Sequence, residues 1–312
     1  MLSTRVEPDE WLASVLPVAL ASGASQQRLN LRVVRGRSEA IGGKEQASVP
    51  RVGASSYLNT APLIWSFVHG ARAGDVQLIT DAAPARCADL LARGAVEAAL
   101  VPVIEYQRLP EVVIVSDACV GAKQLVRSVV LVTRCADLRE VRTVALDESS
   151  RTSAALVQII FREFLGREPR TEAARPDVSA MLREHDAALI IGDPAMTFAR
   201  AGLHVHDLAH LWREHTGLGF VFALWMAHEH AAASMRAVDF AATRDEGLAH
   251  TEEIIAAYEP ELGLPRAELR TYLHDNLCFE LNAEMRAGLE LYFKLAHKHG
   301  LAPAARPLQW LT

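Results

Sequence analysis

The chain has 312 residues and a formal net charge of −6, and half of its residues are hydrophobic. This composition is typical of a globular protein, and the length is sufficient for two lobes of ordinary size. The negative charge argues against nucleic acid as a main partner, because phosphate binding needs a concentrated basic face, and no basic run is present. Local features must therefore hold any anionic ligand.

No membrane partner and no disulfide framework are expected. Every apolar run is shorter than the roughly 18 residues that a membrane span needs. The cysteines are scattered without C-x-x-C spacing, which is typical of reduced thiols in a cytoplasmic protein. They are Cys87, Cys119, Cys135 and Cys278.

The first 49 residues differ from the rest of the chain. Residues 11–21 are apolar, but acidic residues precede them, whereas a secretory signal begins with a positive segment. Residues 22–49 are polar and rich in Gly, Ser, Gln and Arg. We therefore expect residues 1–49 to be a mostly poorly ordered extension, with a cleaved signal peptide as the alternative.

From residue 50 the pattern predicts alternating strands and helices, which favours an α/β fold with a mostly parallel sheet. Strands are predicted over 51–57, 76–80, 96–103, 112–115, 128–133, 143–146, 187–191 and 220–225. Helices are predicted over 62–69, 85–93, 154–165 and 178–184, with a loop over 167–176 and a helical region over 231–299.

One stretch, V-A-L-D-E-S-S-R-T-S-A-A-L over residues 144–156, combines a strand end, a hydroxyl-rich turn and a helix start. The unpaired N–H groups and positive dipole end of a helix form a ready anion site. The side chains of Ser150, Arg151, Thr152 and Ser153 would suit a carboxylate there. An ordinary N-cap explains the same residues equally well.

Other polar residues stand next to predicted strands, and ligands of such sheets bind beyond the carboxyl ends of the strands. Each also has a plain structural explanation, as a turn residue, a solvated loop acid, a strand-edge hydroxyl or a helix cap. These candidates are Tyr57, Asn59, Glu105, Ser128, Gly192 and Asp193.

Common catalytic motifs are absent from the sequence. There is no G-x-G-x-x-G after a strand, no G-x-x-x-x-G-K-[ST] and no G-x-S-x-G, and the histidine pairs lack an H-E-x-x-H motif. No nucleophile–base pair of the Ser-His or Cys-His kind stands out. The residues by themselves predict a two-lobed binder of a small anion, and we expect no metal and no cofactor.

Taken together, the motifs resemble the chorismate dehydratase family of the futalosine route to menaquinone. They occur in the order S-Y-L-N-T-A-P-L, A-L-V-P-V-I-E-Y, S-V-V-L, A-L-D-E-S-S-R-T-S, I-I-G-D-P-A, D-L-A-H-L-W and T-G-L-G-F-V-F-A. The resemblance extends from about residue 52 into the C-terminal helices.

The resemblance implies a type II periplasmic-binding-protein fold with two α/β lobes, mixed sheets and a ligand cleft between the lobes. One lobe would comprise residues 50–133 plus 225–312, and the other residues 134–224. The implied reaction removes water from chorismate to give 3-[(1-carboxyvinyl)oxy]benzoate.

The same resemblance implies roles for individual residues. Asn59 and Ser128 would be catalytic and lie closest to the reacting atoms. The helix start at 150–153 would stabilise the ring carboxylate, with Tyr57, Gly192 and Asp193 also contacting substrate. The enolpyruvyl carboxylate of the substrate would take the proton, with Glu105 as the rival base.

Three other functions stay open. One is the sister enzyme of the pathway, which makes 1,4-dihydroxy-6-naphthoate on the same fold. Another is a non-catalytic solute-binding protein for a small carboxylate, and a more distant one is a metal-dependent hydrolase. The sequence does not fix the oligomeric state, so a homodimer also stays open.

Overall fold

The computed structural model describes residues 49–311, so the predicted extension lies, apart from residue 49, outside the described residues. In chain order the strands are β1 (Arg51–Ser55), β2 (Gln77–Asp81), β3 (Ala98–Pro102), β4 (Val112–Ala122), β5 (Val129–Thr133), β6 (Thr143–Asp147), β7 (Arg170–Ala174), β8 (Ala187–Ile191), β9 (His204–Asp207), β10 (Phe220–His228) and β11 (Cys278–Glu280).

The helices surround these strands and supply most of the chain after β10. They are α1 (Ala61–His69), α2 (Pro84–Ala92), α3 (Glu105–Arg108), α4 (Thr152–Ile159), α5 (Val178–Glu184), α6 (Asp193–Thr197), α7 (Leu208–Thr216), α8 (Ala232–Met235), α9 (Phe240–Ala249), α10 (Thr251–Leu262), α11 (Arg266–Thr271) and α12 (Ala283–Lys298). Short 3-10 turns cover Leu138–Glu140 and Glu229–Ala231, and π-helical segments cover Ile160–Phe164 and Tyr272–Asn276.

The strands form two mixed sheets, which agrees with the predicted two-lobed α/β architecture. The six-stranded sheet has the order β11-β4-β10-β3-β1-β2, and the five-stranded sheet has the order β7-β6-β8-β5-β9. Parallel pairs join β1 to β2 and β3, and β6 to β7 and β8. Antiparallel pairs join β10 to β3 and β4, and β5 to β8 and β9, so neither sheet is mostly parallel as we expected.

The strand pairing shifts both predicted lobe boundaries. β5 pairs only within the five-stranded sheet, although we assigned residues 128–133 to the first lobe. β10 lies within the six-stranded sheet over its whole length, although we ended the second lobe at residue 224. The chain therefore crosses between the sheets over 123–128 and over 217–219. The predicted boundaries differ because a buried apolar strand has no local sequence feature that indicates which sheet it joins.

Some predicted elements also differ from the structure. The strand predicted over 112–115 continues to Ala122, and the loop predicted over 167–176 contains β7. The region 231–299 is interrupted by β11, which pairs with β4 at the sheet edge. These elements were missed because β7 is largely exposed and β11 has three residues, so neither has a clear apolar period.

One buried apolar cluster includes side chains from both lobes, and a smaller cluster lies in the second lobe. β3, β5 and β8 are buried at every position, which explains their continuous apolar runs. No helix among the described residues is long and apolar enough to cross a membrane. The shared core fixes the strand ends of the two lobes opposite each other.

Candidate functional site

A cleft of about 60 Å³ lies where the ends of strands from both lobes meet. Its polar wall consists of Ser55, Tyr57, Asn59, Thr60, Ser149, Ser150, Arg151, Thr152, Ser153 and Gly192, and its apolar wall of Pro84, Leu100, Pro102, Val120, Val129, Ile191, Phe222 and Ala223. The cleft therefore contains seven of the ten predicted site residues and excludes Glu105, Ser128 and Asp193.

The turn after β1 holds Asn59 in place through a short chain of hydroxyls. Ser55 Oγ and Thr60 Oγ1 are 2.7 Å apart, and Thr60 Oγ1 donates to Asn59 Oδ1 at 3.3 Å. The backbone N–H of Thr60 donates to Tyr57 O at 2.9 Å, which closes the turn. A proline at the start of α1 suits the first helical turn, so the turn leads directly into a helix.

The N-terminus of α4 is open. No side chain caps it, although Ser and Thr surround it. Within residues 49–311, the hydroxyls of Ser150 and Ser153 have no hydrogen-bond partner, and both residues line the cleft. First-turn N–H groups and two available hydroxyls therefore converge on one wall, which is the arrangement that an anion requires.

Asp147, at the end of β6, shapes this wall from behind. Its Oδ1 accepts from the Ser149 backbone N–H at 2.9 Å and from Ser149 Oγ at 2.6 Å, while Oδ2 accepts from Ile191 N–H at 3.2 Å. Burial raises the pKa of Asp147, and the hydrogen bonds from Ser149 and Ile191 oppose that rise only in part. The carboxyl group thus fixes the turn to β8 and does not cap α4.

Thr152 joins the two lobes at the same wall. Its Oγ1 accepts from Ile104 N–H of the first lobe at 3.3 Å, and its carbonyl accepts from Tyr292 Oη at 3.0 Å. Tyr292 lies on α12 and is fully buried. The start of α4 is therefore held against the first lobe from two sides.

Arg151 is engaged by two acids of the first lobe. Its Nη2 lies 2.5 Å from Asp89 Oδ1 and its Nη1 lies 3.0 Å from Glu105 Oε2. Burial disfavours the charged guanidinium, but hydrogen bonds and charges from Asp89 and Glu105 outweigh burial and raise the pKa of Arg151. Glu105 is 2% exposed and also pairs with Arg108 at 3.1 Å. Glu105 thus offsets the positive charge of Arg151 and Arg108 behind the cleft wall.

Gly192 and Asp193 follow β8 and differ in their positions. Gly192 lines the cleft with φ of +67°, and a Cβ at this position would overlap the ring of Tyr57, so this approach requires glycine. Asp193 is buried outside the cleft lining, and its Oδ1 accepts from Leu58 N–H at 3.1 Å. Asp193 therefore fixes the turn after β1 to the second lobe.

Ser128 is fully buried at the crossing that leads into β5. Its carbonyl accepts from Gly192 N–H at 2.7 Å, and its Oγ accepts from Tyr272 Oη at 2.7 Å. The structure thus joins Ser128 to a tyrosine that the sequence did not indicate.

Several other residues of this site were missed. Ser149 belongs to the hydroxyl-rich turn and Ser55 precedes the Y-L-N-T segment, so both lay within reach of the sequence pattern. Asp147 could also have been selected, because it is an acidic residue directly after the strand predicted over 143–146. Tyr272 gave none, because it lies 144 residues from Ser128 within an otherwise helical region. The apolar wall could not be found from sequence, because it depends on strand register.

The chemistry available in the cleft is that of neutral donors. Hydroxyls, an amide and backbone N–H groups face it, and the charge of its one lining arginine is balanced by Asp89 and Glu105. Among residues 49–311, no group of three or more His, Cys, Asp or Glu side chains could hold a metal ion. The geometry suits recognition of carboxylates and stabilisation of negative charge that develops on them.

Comparison with solved structures supports the same fold. The chain matches a protein from Archaeoglobus fulgidus with a TM-score of 0.63 and 20% identity, over 82% of this chain and all of that one (100%). It also matches the periplasmic aliphatic sulphonate-binding protein of Escherichia coli with a TM-score of 0.59 and 17% identity, over 85% of this chain and 94% of that one. The predicted periplasmic-binding-protein-like fold is confirmed.

Sequence comparison identifies the family. The chain is 30% identical over 260 residues to the chorismate dehydratase of Thermus thermophilus, a match that covers 77% of this chain and 93% of that protein. Residues 50–298 match the family model for menaquinone biosynthesis. These residues include both sheets and every residue that lines the cleft. This chain therefore belongs to the menaquinone biosynthesis family.

Proposed function

We propose that this protein is a chorismate dehydratase, a hydro-lyase that converts chorismate to 3-[(1-carboxyvinyl)oxy]benzoate and water. The observation that carries the proposal is the open N-terminus of α4, where Ser150 and Ser153 have no hydrogen-bond partner within the described residues, opposite Asn59 in one cleft. The similarity to a chorismate dehydratase supports this choice of substrate.

The ring carboxylate of chorismate binds at the start of α4. The ring proton that is lost is vinylogous to that carboxylate, so its removal sends negative charge into the carboxylate oxygens. The hydroxyls of Ser150 and Ser153 and the N–H groups of the first helical turn bind these oxygens. Because the charge grows as the proton leaves, these donors stabilise the transition state more than the ground state.

The enolpyruvyl carboxylate of the substrate takes the proton from the ring carbon that bears the ether oxygen. The hydroxyl group on the neighbouring ring carbon then leaves, and together they make one water. Glu105 is the rival base, but its two oxygens pair with Arg151 and Arg108. Asn59 and Ser128 orient the substrate and assist departure of the hydroxyl group.

The first test is to mix the purified protein with chorismate, without metal or nucleotide, and to record ultraviolet spectra and product mass. Loss of the diene absorbance with a mass decrease of one water is expected. Intact chorismate that stays tightly bound would instead favour a solute-binding protein. A protein that turns over only the naphthoate-forming substrate would be the sister enzyme, and no binding at all would refute the proposal.

Two variants separate the assigned roles. Asn59→Ala is expected to lower kcat by about 100-fold or more, because a donor at the reacting atoms is lost. Glu105→Gln is expected to keep most of the turnover, since the substrate supplies the base. A Glu105→Gln variant that binds chorismate normally but has no turnover would make Glu105 the base.

The protein acts in the cytoplasm, which agrees with four cysteines that are all free. Cell fractionation followed by immunodetection tests this location, and detection in the periplasmic fraction would contradict it. Light scattering of the purified protein distinguishes a monomer from the homodimer that the sequence leaves open.

A further inference from the structure

Residues 301–311, which we call the C-terminal strap, follow α12 and contact both β4 and α3. Ile114 N–H, in β4, donates to Gln309 O at 2.9 Å, and Leu311 N–H donates to Ile114 O at 2.8 Å. The strap lies beyond residues 50–298, which match the family model. Its contacts therefore need an explanation of their own.

Arg306 of the strap binds the C-terminal end of α3. Its Nε donates to Tyr106 O at 2.7 Å, and its Nη2 donates to Leu109 O at 2.9 Å. The guanidinium carbon also lies 3.9 Å from the centre of the Tyr106 ring, within the range of a cation–π contact. One side chain thus satisfies carbonyl groups that the end of a helix leaves without intrahelical partners.

Two side chains of α3 bind the strap in return. Gln107 Nε2 donates to Arg306 O at 2.9 Å, and Gln107 Oε1 accepts from Arg306 N–H at 2.7 Å. Tyr106 Oη donates to Pro307 O at 2.8 Å and accepts from Gln309 N–H at 2.7 Å. Because a helix of one turn has little stability of its own, such bonds determine where α3 lies.

The N-terminal end of α3 contacts the cleft wall. Glu105 is the first residue of α3, and its Oε2 accepts from Arg151 Nη1 at 3.0 Å. Ile104 directly precedes α3, and its N–H donates to Thr152 Oγ1 at 3.3 Å. Arg151 and Thr152 both line the cleft. Direct hydrogen bonds therefore join α3 to the strap at one end and to the cleft wall at the other.

We propose that Arg306 is a positioning residue for substrate binding: by fixing α3, it holds Arg151 and Thr152 in place at the start of α4. This inference rests on the proposed function. Without Arg306 the wall keeps all its donors, but the substrate must order them when it binds. That cost falls on the bound ground state and the transition state alike, so it weakens affinity more than it slows the chemical step.

The first test compares two arginine variants of the full-length protein with chorismate as substrate. Arg306→Met keeps much of the aliphatic packing but loses the bonds to α3, and we expect it to raise KM about fivefold and to change kcat less than about twofold. Arg134→Met is the matched control, because Arg134 also donates to a backbone carbonyl, that of Leu182, just after the end of β5 opposite Val129. Equal KM values for both variants would overturn the inference.

A double-mutant cycle tests whether the effect passes through α3. In an Arg151→Met background, the effect of Arg306→Met on KM is expected to fall below about twofold, since the ion pair between α3 and the wall is already lost. An undiminished effect in that background would overturn the inference. Wild-type protein that binds and turns over no chorismate would instead refute the proposed function.

Hydrogen exchange measures the same coupling without substrate. In Arg306→Met, we expect the amides of 104–109 and of α4 to exchange about threefold faster or more, with β8 unchanged as the internal reference. Faster exchange confined to 104–109 would overturn the inference. If Arg306→Met does not fold, Gln107→Leu replaces it, since it loses only the two bonds to the Arg306 backbone, and the same pattern is expected.

Discussion

Two helix N-termini in the second lobe have similar surroundings but differ in how they are capped. α4 and α7 both follow a strand that ends in aspartate, at Asp147 and Asp207. Asp207 caps α7 by accepting from Ala209 N–H at 3.0 Å and His210 N–H at 3.1 Å. Asp147 instead binds Ser149 and Ile191, and no side chain caps α4.

Asp207 also holds the crossing between the lobes. It accepts from Val126 N–H at 3.0 Å and Arg127 N–H at 2.6 Å, so its carboxylate satisfies four backbone donors. At α7 an aspartate of the protein caps the helix start, which contributes to stability. At α4 no side chain caps the helix, so we propose that the same kind of helix start contributes to binding there.

The largest effect is expected when α4 is made to resemble α7. Ser150→Asp places a carboxylate beside the open helix start, where it stabilises the dipole but repels an anionic substrate. We expect kcat/KM to fall by about 100-fold or more, as expected for loss of a charge-stabilising site, with an unchanged or higher Tm. Steady-state kinetics and thermal denaturation measure both quantities. Ser150→Asn is the neutral control, and equal losses in both variants would contradict the electrostatic explanation.

The second prediction removes the cap of α7. Asp207→Ala leaves four backbone donors without their acceptor, and we expect it to lower the free energy of unfolding by about 2–4 kcal/mol. Urea denaturation measures this loss. Because Asp207 does not line the cleft, KM for chorismate should stay within about twofold in the folded fraction. A large rise in KM with unchanged stability would invert the roles assigned to the two helices.

The smallest effect is expected at Arg151, which joins the open helix start to the first lobe. Arg151→Met breaks the ion pairs with Asp89 and Glu105 but keeps most of the aliphatic packing, and we expect KM to rise about tenfold. Arg213→Met, which breaks an ion pair with Glu284 at 2.5 Å away from the cleft, is the matched control. Identical KM values for both variants would show that Arg151 contributes nothing specific to the helix start.

The sequence predicted the part of the candidate site that is formed by residues close together in the chain. Ser150 to Ser153 and the turn with Tyr57 and Asn59 do line the cleft, because a strand end followed by a helix start is a local pattern. Ser128, Asp193 and Glu105 lie behind the wall, which depends on how distant strands align. A single sequence does not show how distant segments align, so it also gave no sign that Tyr272 is hydrogen-bonded to Ser128.

The same limit explains the shifted lobe boundaries. Residues 128–133 and 220–225 were correctly predicted as strands, but a continuous apolar run is compatible with either sheet. The two-lobed α/β class came from the alternation of elements and from the family resemblance, whereas sheet membership is decided by contacts between segments far apart in the chain.

The position of β10 has a consequence for synthesis on the ribosome. It lies between β3 and β4 in the six-stranded sheet, yet it follows the entire second lobe in the chain. The five-stranded sheet is continuous in sequence and can complete its pairing as soon as β9 emerges. Until β10 emerges, β3 and β4 each expose an unpaired edge, and such edges invite aggregation. We therefore expect a nascent chain to pass through a stage with the second lobe folded first, and this stage is where it depends most on chaperones.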